Sequence, residues 1–207
     1  MRLSSCLPGA IAVVVLATAP ALAICPDAPL TGPVFVTYGD RISQVDRLPD
    51  GTTADRETAL DGSFAVDYVT HPLGLVLSAQ QLEGGRVLPE TVETVAYEGM
   101  PLPDPAPGAR WQGREVSRFA DGRVTAYATE ASMGQPEAYR IGDCVLEVLP
   151  VVVTRVEDGL PGADAEAYIY LPDLGIVLFM GYAAVGEETV IDPPLAFSTV
   201  APAGLHE

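Results

Sequence analysis

The chain has 207 residues, and 28 acidic side chains against 11 arginines give a net charge of −17 at neutral pH, with no lysine at all. That length suits one domain with a sizeable core. A surface this acidic repels nucleic acid and anionic lipid headgroups, and no basic patch offsets it, so nucleic-acid binding is excluded as a role.

Residues 1–23 read as an export signal. Arg2 supplies the positive start, "GAIAVVVLATA" the apolar run and Ala21-Leu22-Ala23 the cleavage site. The run is too short for a membrane span, and no later segment is apolar for long enough to be one. The mature chain is expected to begin at Ile24, with ten arginines against 28 acids, or −18, and to work in the periplasm. Lipid attachment at Cys25 is disfavoured because bulky Ile24 stands where a lipoprotein signal needs a small residue. Cys6 leaves with the signal. Cys25 and Cys144 then have one possible pairing, and an oxidising compartment predicts a disulfide between them.

Beyond the signal, strand signals dominate. "VFVTY" (34–38), "FAVDYV" (64–69), "LGLVLSAQ" (73–80), "TVETVAY" (91–97), "RVTAYATE" (123–130), "CVLEVLPVVVTRV" (144–156), "AYIYL" (167–171) and "GIVLFMGYAAV" (175–185) are rich in β-branched and aromatic residues and bounded by turns. The best helix candidate, "TADRETAL" (53–60), is short and mostly polar. The pattern predicts a single all-β domain over 24–207, a curved antiparallel sheet or half-open barrel of about 9–11 strands; a two-layer β-sandwich is the alternative.

One short phrase recurs: "VDRLPDG" (45–51), "VSRFADG" (116–122) and "VTRVEDG" (153–159). Asp-Gly between strand-like runs predicts a tight hairpin, with positive φ at both central residues of a type I′ turn. A longer echo links "DYVTHPLGLVL" (67–77) to "AYIYLPDLGIVL" (167–178), with Asp173 as one inserted residue. It reads as an internal duplication, with related halves at about 30–98 and 111–200 joined by the Pro/Gly-rich segment 98–113.

The face pattern points toward function. A sheet with one wet face alternates apolar and polar residues, whereas "GIVLFMGYAAV" is apolar both ways: Ile176, Leu178, Met180 and Tyr182 on one face, Val177 and Phe179 on the other. "VLPVVVTRV" shares the property. Such strands are covered on both sides, by a second layer or by folding around an apolar cavity. The 175–185 segment is expected to form one long central strand, with either of its residue sets facing a ligand groove.

Catalytic and metal-binding signatures are missing. The histidines are His71 and His206, and His71 falls where the second copy of the echo has Leu171, which predicts a packed or capping role. No nucleophile elbow, zinc motif, phosphate loop or dinucleotide fingerprint occurs, so no catalytic residue, metal or cofactor is assigned. Asp158, Asp164 and Glu166 read as a solvated acidic turn rather than a calcium loop. Arg47, Arg118 and Arg155, each three residues before an Asp, read as local surface ion pairs rather than an anion grip.

With its signal peptide, Asp-Gly hairpins and doubly apolar strands, the chain resembles the periplasmic half-open barrels of lipoprotein carriers and related envelope proteins. The resemblance is architectural. It implies a curved sheet around a hydrophobic cavity and a partner that is a hydrophobic small molecule or a lipidated protein. The leading expectation is a non-enzymatic envelope protein of that kind. A structural or protein-interaction domain without a small ligand is the first alternative, and a carboxylate-based hydrolase the second. The sequence does not fix an oligomeric state.

Overall fold

The computed structural model describes residues 25–202; the segment read as an export signal and His206 lie outside them. The first strands, β1 (Val34–Thr37), β2 (Arg41–Arg47), β3 (Thr53–Ala59), β4 (Ala65–His71) and β5 (Leu75–Glu83), form an antiparallel meander. Short β6 (Arg86–Val87) and a 3-10 turn at Pro89–Thr91 lead to β7 (Glu93–Gly99). Then follow β8 (Arg110–Phe119), β9 (Val124–Met133), β10 (Glu137–Ile141), β11 (Cys144–Glu157), β12 (Asp164–Leu171) and β13 (Ile176–Ala183). Two short strands, β14 (Val190–Ile191) and β15 (Ala196–Ser198), complete the set.

The fold class is the expected one: all-β, with no α-helix among the described residues and one large curved antiparallel sheet that does not close. Two separate layers are not formed. Fifteen strands exceed the expected number because β6, β14 and β15 have only two or three residues each, too few to leave a periodic signal, and because β3 falls in the segment read as a helix. The order is β14-β13-β12-β11-β9-β8-β7-β5-β4-β3-β2-β1-β15, with β10 on β11 and β6 on β5. The two ends of that order belong to consecutive strands. Residues 190–198 therefore bind one edge of the sheet through β14, cross the gap and bind the other edge through β15. Along the way Asp192 N–H donates to Met180 O and Leu195 N–H to Thr37 O.

The segment read as a helix, "TADRETAL", is β3, paired along its length with β2 and β4. Helix propensity is a weak prior, and Asp-Gly turns on both sides of it override that prior here. The 175–185 segment is a strand as expected, but it is not central: β13 is next to the edge and shares only two residue pairs with β14. Its remaining edge meets side chains instead. Val177 N–H donates to Thr53 Oγ1 (3.1 Å), and the Tyr38 hydroxyl donates to Phe179 O (3.3 Å). These bonds satisfy buried backbone groups that would otherwise be orphaned.

Two apolar clusters form the core. One joins Val34, Val36 and Val45 of the first strands to Ile141, Val148, Ile169, Ile176 and Leu178. The other joins Leu73 and Leu75 to Trp111, Val151, Val153, Tyr168 and Val177. β13 thus faces both clusters, Ile176 and Leu178 into the first and Val177 into the second, which is why it lacks a polar face. β11 does this only near Val148 and Leu149, since Val145, Val152 and Val156 are exposed. The disulfide between Cys25 and Cys144 is present, with Cα atoms 5.5 Å apart, and ties the N-terminal segment to the start of β11.

The repeated phrase does end strands at turns, by a different geometry from the one expected. Gly51, Gly122 and Gly159 all have φ near +85°, but no non-glycine described residue has positive φ, so the type I′ form is absent. In the first two copies Gly51 N–H donates to Leu48 O and Gly122 N–H to Phe119 O. That is a three-residue hairpin loop with a glycine bulge. The aspartate fixes it by side-chain capping: Asp50 Oδ1 accepts from Thr52 N–H (3.0 Å), and Asp121 Oδ1 from Arg123 N–H (2.8 Å). The third copy opens a longer loop, where Asp158 pairs with Arg114 (2.9 Å).

The longer echo marks two like-shaped corners, β4–β5 and β12–β13. Gly74 and Gly175 turn them with φ of 72° and 68°, and each corner carries a register shift, at Val69/Thr70 and at Ala167/Tyr168. In the first corner His71 Nδ1 accepts from Leu73 N–H (3.2 Å), a capping bond, while burial lowers its pKa. The Pro/Gly-rich segment expected at 98–113 is free of strand only over residues 100–109, because β7 and β8 extend into it.

Candidate ligand cavity

The two corners help wall a cavity of about 650 Å³. Tyr68 and Val76 come from the first corner and Tyr168 and Val177 from the second, matched positions of the echo. Phe64, Phe179 and Tyr182 add rings, and Tyr168 meets Phe179 edge to face at 5.5 Å between centroids. Val190 and Ile191 of the bridging segment also line it; Ile191 is 71% exposed.

The six ligand candidates on β13 separate. Val177, Phe179 and Tyr182 line the cavity. Ile176 and Leu178 are wholly in the core and Met180 packs against it. The displacement of Tyr182 from its alternating partners follows the register shift in the β12–β13 ladder.

The expected apolar groove is only half apolar. Asp40, Asp55, Glu57, Glu166 and Asp192 also line it, together with Arg41. β-Pairing explains how they meet. Ser43 stands opposite Glu57 and Val45 opposite Asp55, while Asp55 stands opposite Tyr68. Side chains opposite one another share a face, so this polar group projects to the side that holds Tyr68.

Arg41 organises one end. It pairs with Asp192 of the bridging segment and lies 3.0 Å from Glu57 and 3.2 Å from Asp40. Its guanidinium also covers the Tyr38 ring at 4.1 Å. Burial works against its charge, but Asp192 and Glu57 outweigh that and hold its pKa above the usual value. Arg155 organises the other end, with Glu115 at 2.8 Å, Glu166 at 2.6 Å and the Tyr168 hydroxyl donating to the same Glu166 oxygen at 2.6 Å. The local surface pair expected of Arg155 is thus replaced by a buried three-residue cluster, because its strand position points the side chain inward. Arg47 and Arg118 are exposed and have no ion-pair partner among the described residues.

Asp55 has no arginine within ion-pairing distance among the described residues. Its Oδ1 is closed off from solvent and meets no hydrogen-bond partner in good geometry. Burial, reinforced by the Glu57 charge, pushes its pKa up to about 8; Ser43 and Arg41 offset only part of this. Burial likewise raises Glu57, against the pull of Arg41. Tyr68, buried beside both carboxyls, rises to about 12.

The acidic turn residues go three separate ways. Asp158 pairs with Arg114, Asp164 Oδ1 accepts from Val185 N–H (2.9 Å), and Glu166 joins Arg155. No cluster of three or more His, Cys, Asp or Glu able to hold a metal ion occurs among the described residues. No helix of the described residues is long and apolar enough to cross a membrane.

Fold and cavity together define a class: an all-β protein whose single open sheet wraps an aromatic, acidic cavity. The chain matches no protein-family model, no curated protein and no solved structure.

Proposed function

We propose that this chain is an exported, periplasmic binding protein whose cavity takes a hydrophobic or amphipathic small molecule. The observation carrying the reading is the cavity of about 650 Å³ walled by Tyr68, Val76, Tyr168, Val177 and Phe179. That volume and mixture of rings with a few polar groups suits a small-molecule site. Support for export comes from the disulfide, which persists in oxidising compartments.

The test is native mass spectrometry of protein purified from periplasm, followed by titration with the neutral fluorescent probe N-phenyl-1-naphthylamine. A small-molecule adduct or saturable probe binding is expected. Phe179→Arg should abolish probe binding, and Val152→Arg, on the exposed face of β11, should leave it intact. A protein that carries no adduct and binds no probe would sink the reading.

A carboxylate-based hydrolase is the second reading, favoured by one observation: Asp55 and Glu57 share a cleft and burial raises the pKa of both. Turnover of a chromogenic ester or glycoside that disappears in both Asp55→Asn and Glu57→Gln would favour it over simple binding.

A further inference from the structure

Among the carboxylates lining the cavity, most are already matched. Glu57, Asp40 and Asp192 surround Arg41, and Glu166 is held by Arg155. Asp55 is left over, with one oxygen buried and unpartnered. A buried carboxylate stays ionised only beside a compensating positive charge. Among the described residues no arginine lies within ion-pairing distance of Asp55, and Arg41 acts on it only from further off, yet aromatic rings surround the same space. Rings with their negative faces toward a cavity attract cations, quaternary ammonium groups above all. The Arg41 guanidinium over Tyr38 shows the same pairing already used inside this fold.

From this we infer that the cavity's ligand is an amphipathic cation, its ammonium or amidine-like head seated at Asp55 among the rings of Tyr68, Tyr168 and Phe179, and its apolar body along Val76 and Val177. The inference rests on the binding-protein reading and names its ligand class. It predicts proton linkage, because seating the cation requires Asp55 to be ionised. The groups that set its titration come from every strand around it: Glu57 on its own strand, Arg41 on β2, and Asp67 with Tyr68 on β4. Tyr38, just past β1, senses the same charge, and Glu166 acts on Tyr68 from across the cavity. Glu57 and Asp67 favour the protonated acid; Arg41 opposes them.

The experiment compares three ligands of one chain length by calorimetry: decyltrimethylammonium, decanol and decyl sulfate. None of them titrates between pH 6 and pH 9, so any pH dependence belongs to the protein. The cation should bind at least about 10-fold more tightly than decanol at pH 9 and lose most of that advantage at pH 6; decyl sulfate should bind weakest. Asp55→Asn should remove the cation's advantage and its pH dependence while decanol binding persists. Phe179→Leu, which keeps the apolar volume but removes the ring, should weaken the cation selectively. If decanol binds and the cation gains nothing, or if Asp55→Asn leaves the cation's advantage intact, this inference is overturned and the binding-protein reading survives. If neither decanol nor the cation binds, both fall together.

Discussion

Gly74 of the first corner lies directly against Tyr168 of the second: a Cβ on Gly74 would stand 2.6 Å from Tyr168 Cδ2. The contact lets the two corners close over one cavity, and it makes Gly74 intolerant of any side chain. Gly51 is a natural control, with a similar positive φ but open space around it. Gly51→Ala should cost about 1 kcal/mol, the price of a left-handed alanine. Gly74→Ala should cost about 3 kcal/mol, because the buried ring must also move. Urea denaturation measures both, and equal costs would remove the steric account.

Arg155 and Arg118 occupy the same place in two copies of one phrase but have unlike surroundings. Arg155→Met would strand Glu115, which is 5% exposed, without a counter-charge. A loss of about 3–5 kcal/mol is expected from breaking a buried pair in this way. Arg118→Met should change stability by less than about 0.5 kcal/mol. A small effect at Arg155 would show that the cluster is hydrated.

Asp55 predicts a slope of stability with pH. Its folded pKa of about 8 lies above the usual unfolded value near 4, so the folded state binds the extra proton between them. Stability therefore falls as pH rises from about 4 to about 8 and levels off above that. Asp55→Asn should match the parent near pH 4 and exceed it at pH 9. The ceiling is about 1.4 kcal/mol per unit of pKa shift, lowered by whatever water the cavity admits. Parallel stability curves for the two proteins from pH 4 to pH 9 would contradict the burial of this carboxyl.

Removing the disulfide frees a loop spanning 119 residues. The chain-entropy estimate for a loop of this size is about 4–5 kcal/mol. A Cys25→Ser, Cys144→Ser double variant should lose stability of that order by chemical denaturation. A loss below about 1 kcal/mol would mean that the unfolded chain is already held near this geometry.

The strands built from valine, isoleucine and tyrosine were readable because each residue type fits a pleated, buried surface, and the disulfide followed from parity and compartment. β3 was not readable for the reason that makes it interesting. Its inward positions hold Thr53, Asp55 and Glu57 where a core strand would have apolar residues, so the alternation is polar on both faces. The signal that could have revealed it was the pair of Asp-Gly turns at 50–51 and 61–62, spaced for one strand between them. Three of the misread strand's seven residues, Thr53, Asp55 and Glu57, belong to the polar wall of the cavity. Arg155 was misjudged similarly, since proximity to Asp158 in sequence says nothing about which face a strand residue takes. Tyr182 left the face of Ile176 and Leu178 for the cavity through a register shift that leaves no mark in the residue pattern.

The bridge made by residues 190–198 makes this fold behave more like a bracelet with a clasp than a woven cylinder. Where it crosses, the sheet's edges are joined by one covalent segment, the apolar contacts of Ile176 and Leu178, the Arg41–Asp192 pair, the Tyr38 hydroxyl donating to Phe179 O and the Val177 N–H donating to Thr53 Oγ1, with no strand-to-strand ladder between β13 and β1. Each such hydrogen bond is worth about 1 kcal/mol net, whereas parting long-paired neighbours such as β8 and β9 breaks a whole row of them. A line without a strand ladder therefore runs beside Val177 and Phe179, along the wall of the molecule's own cavity.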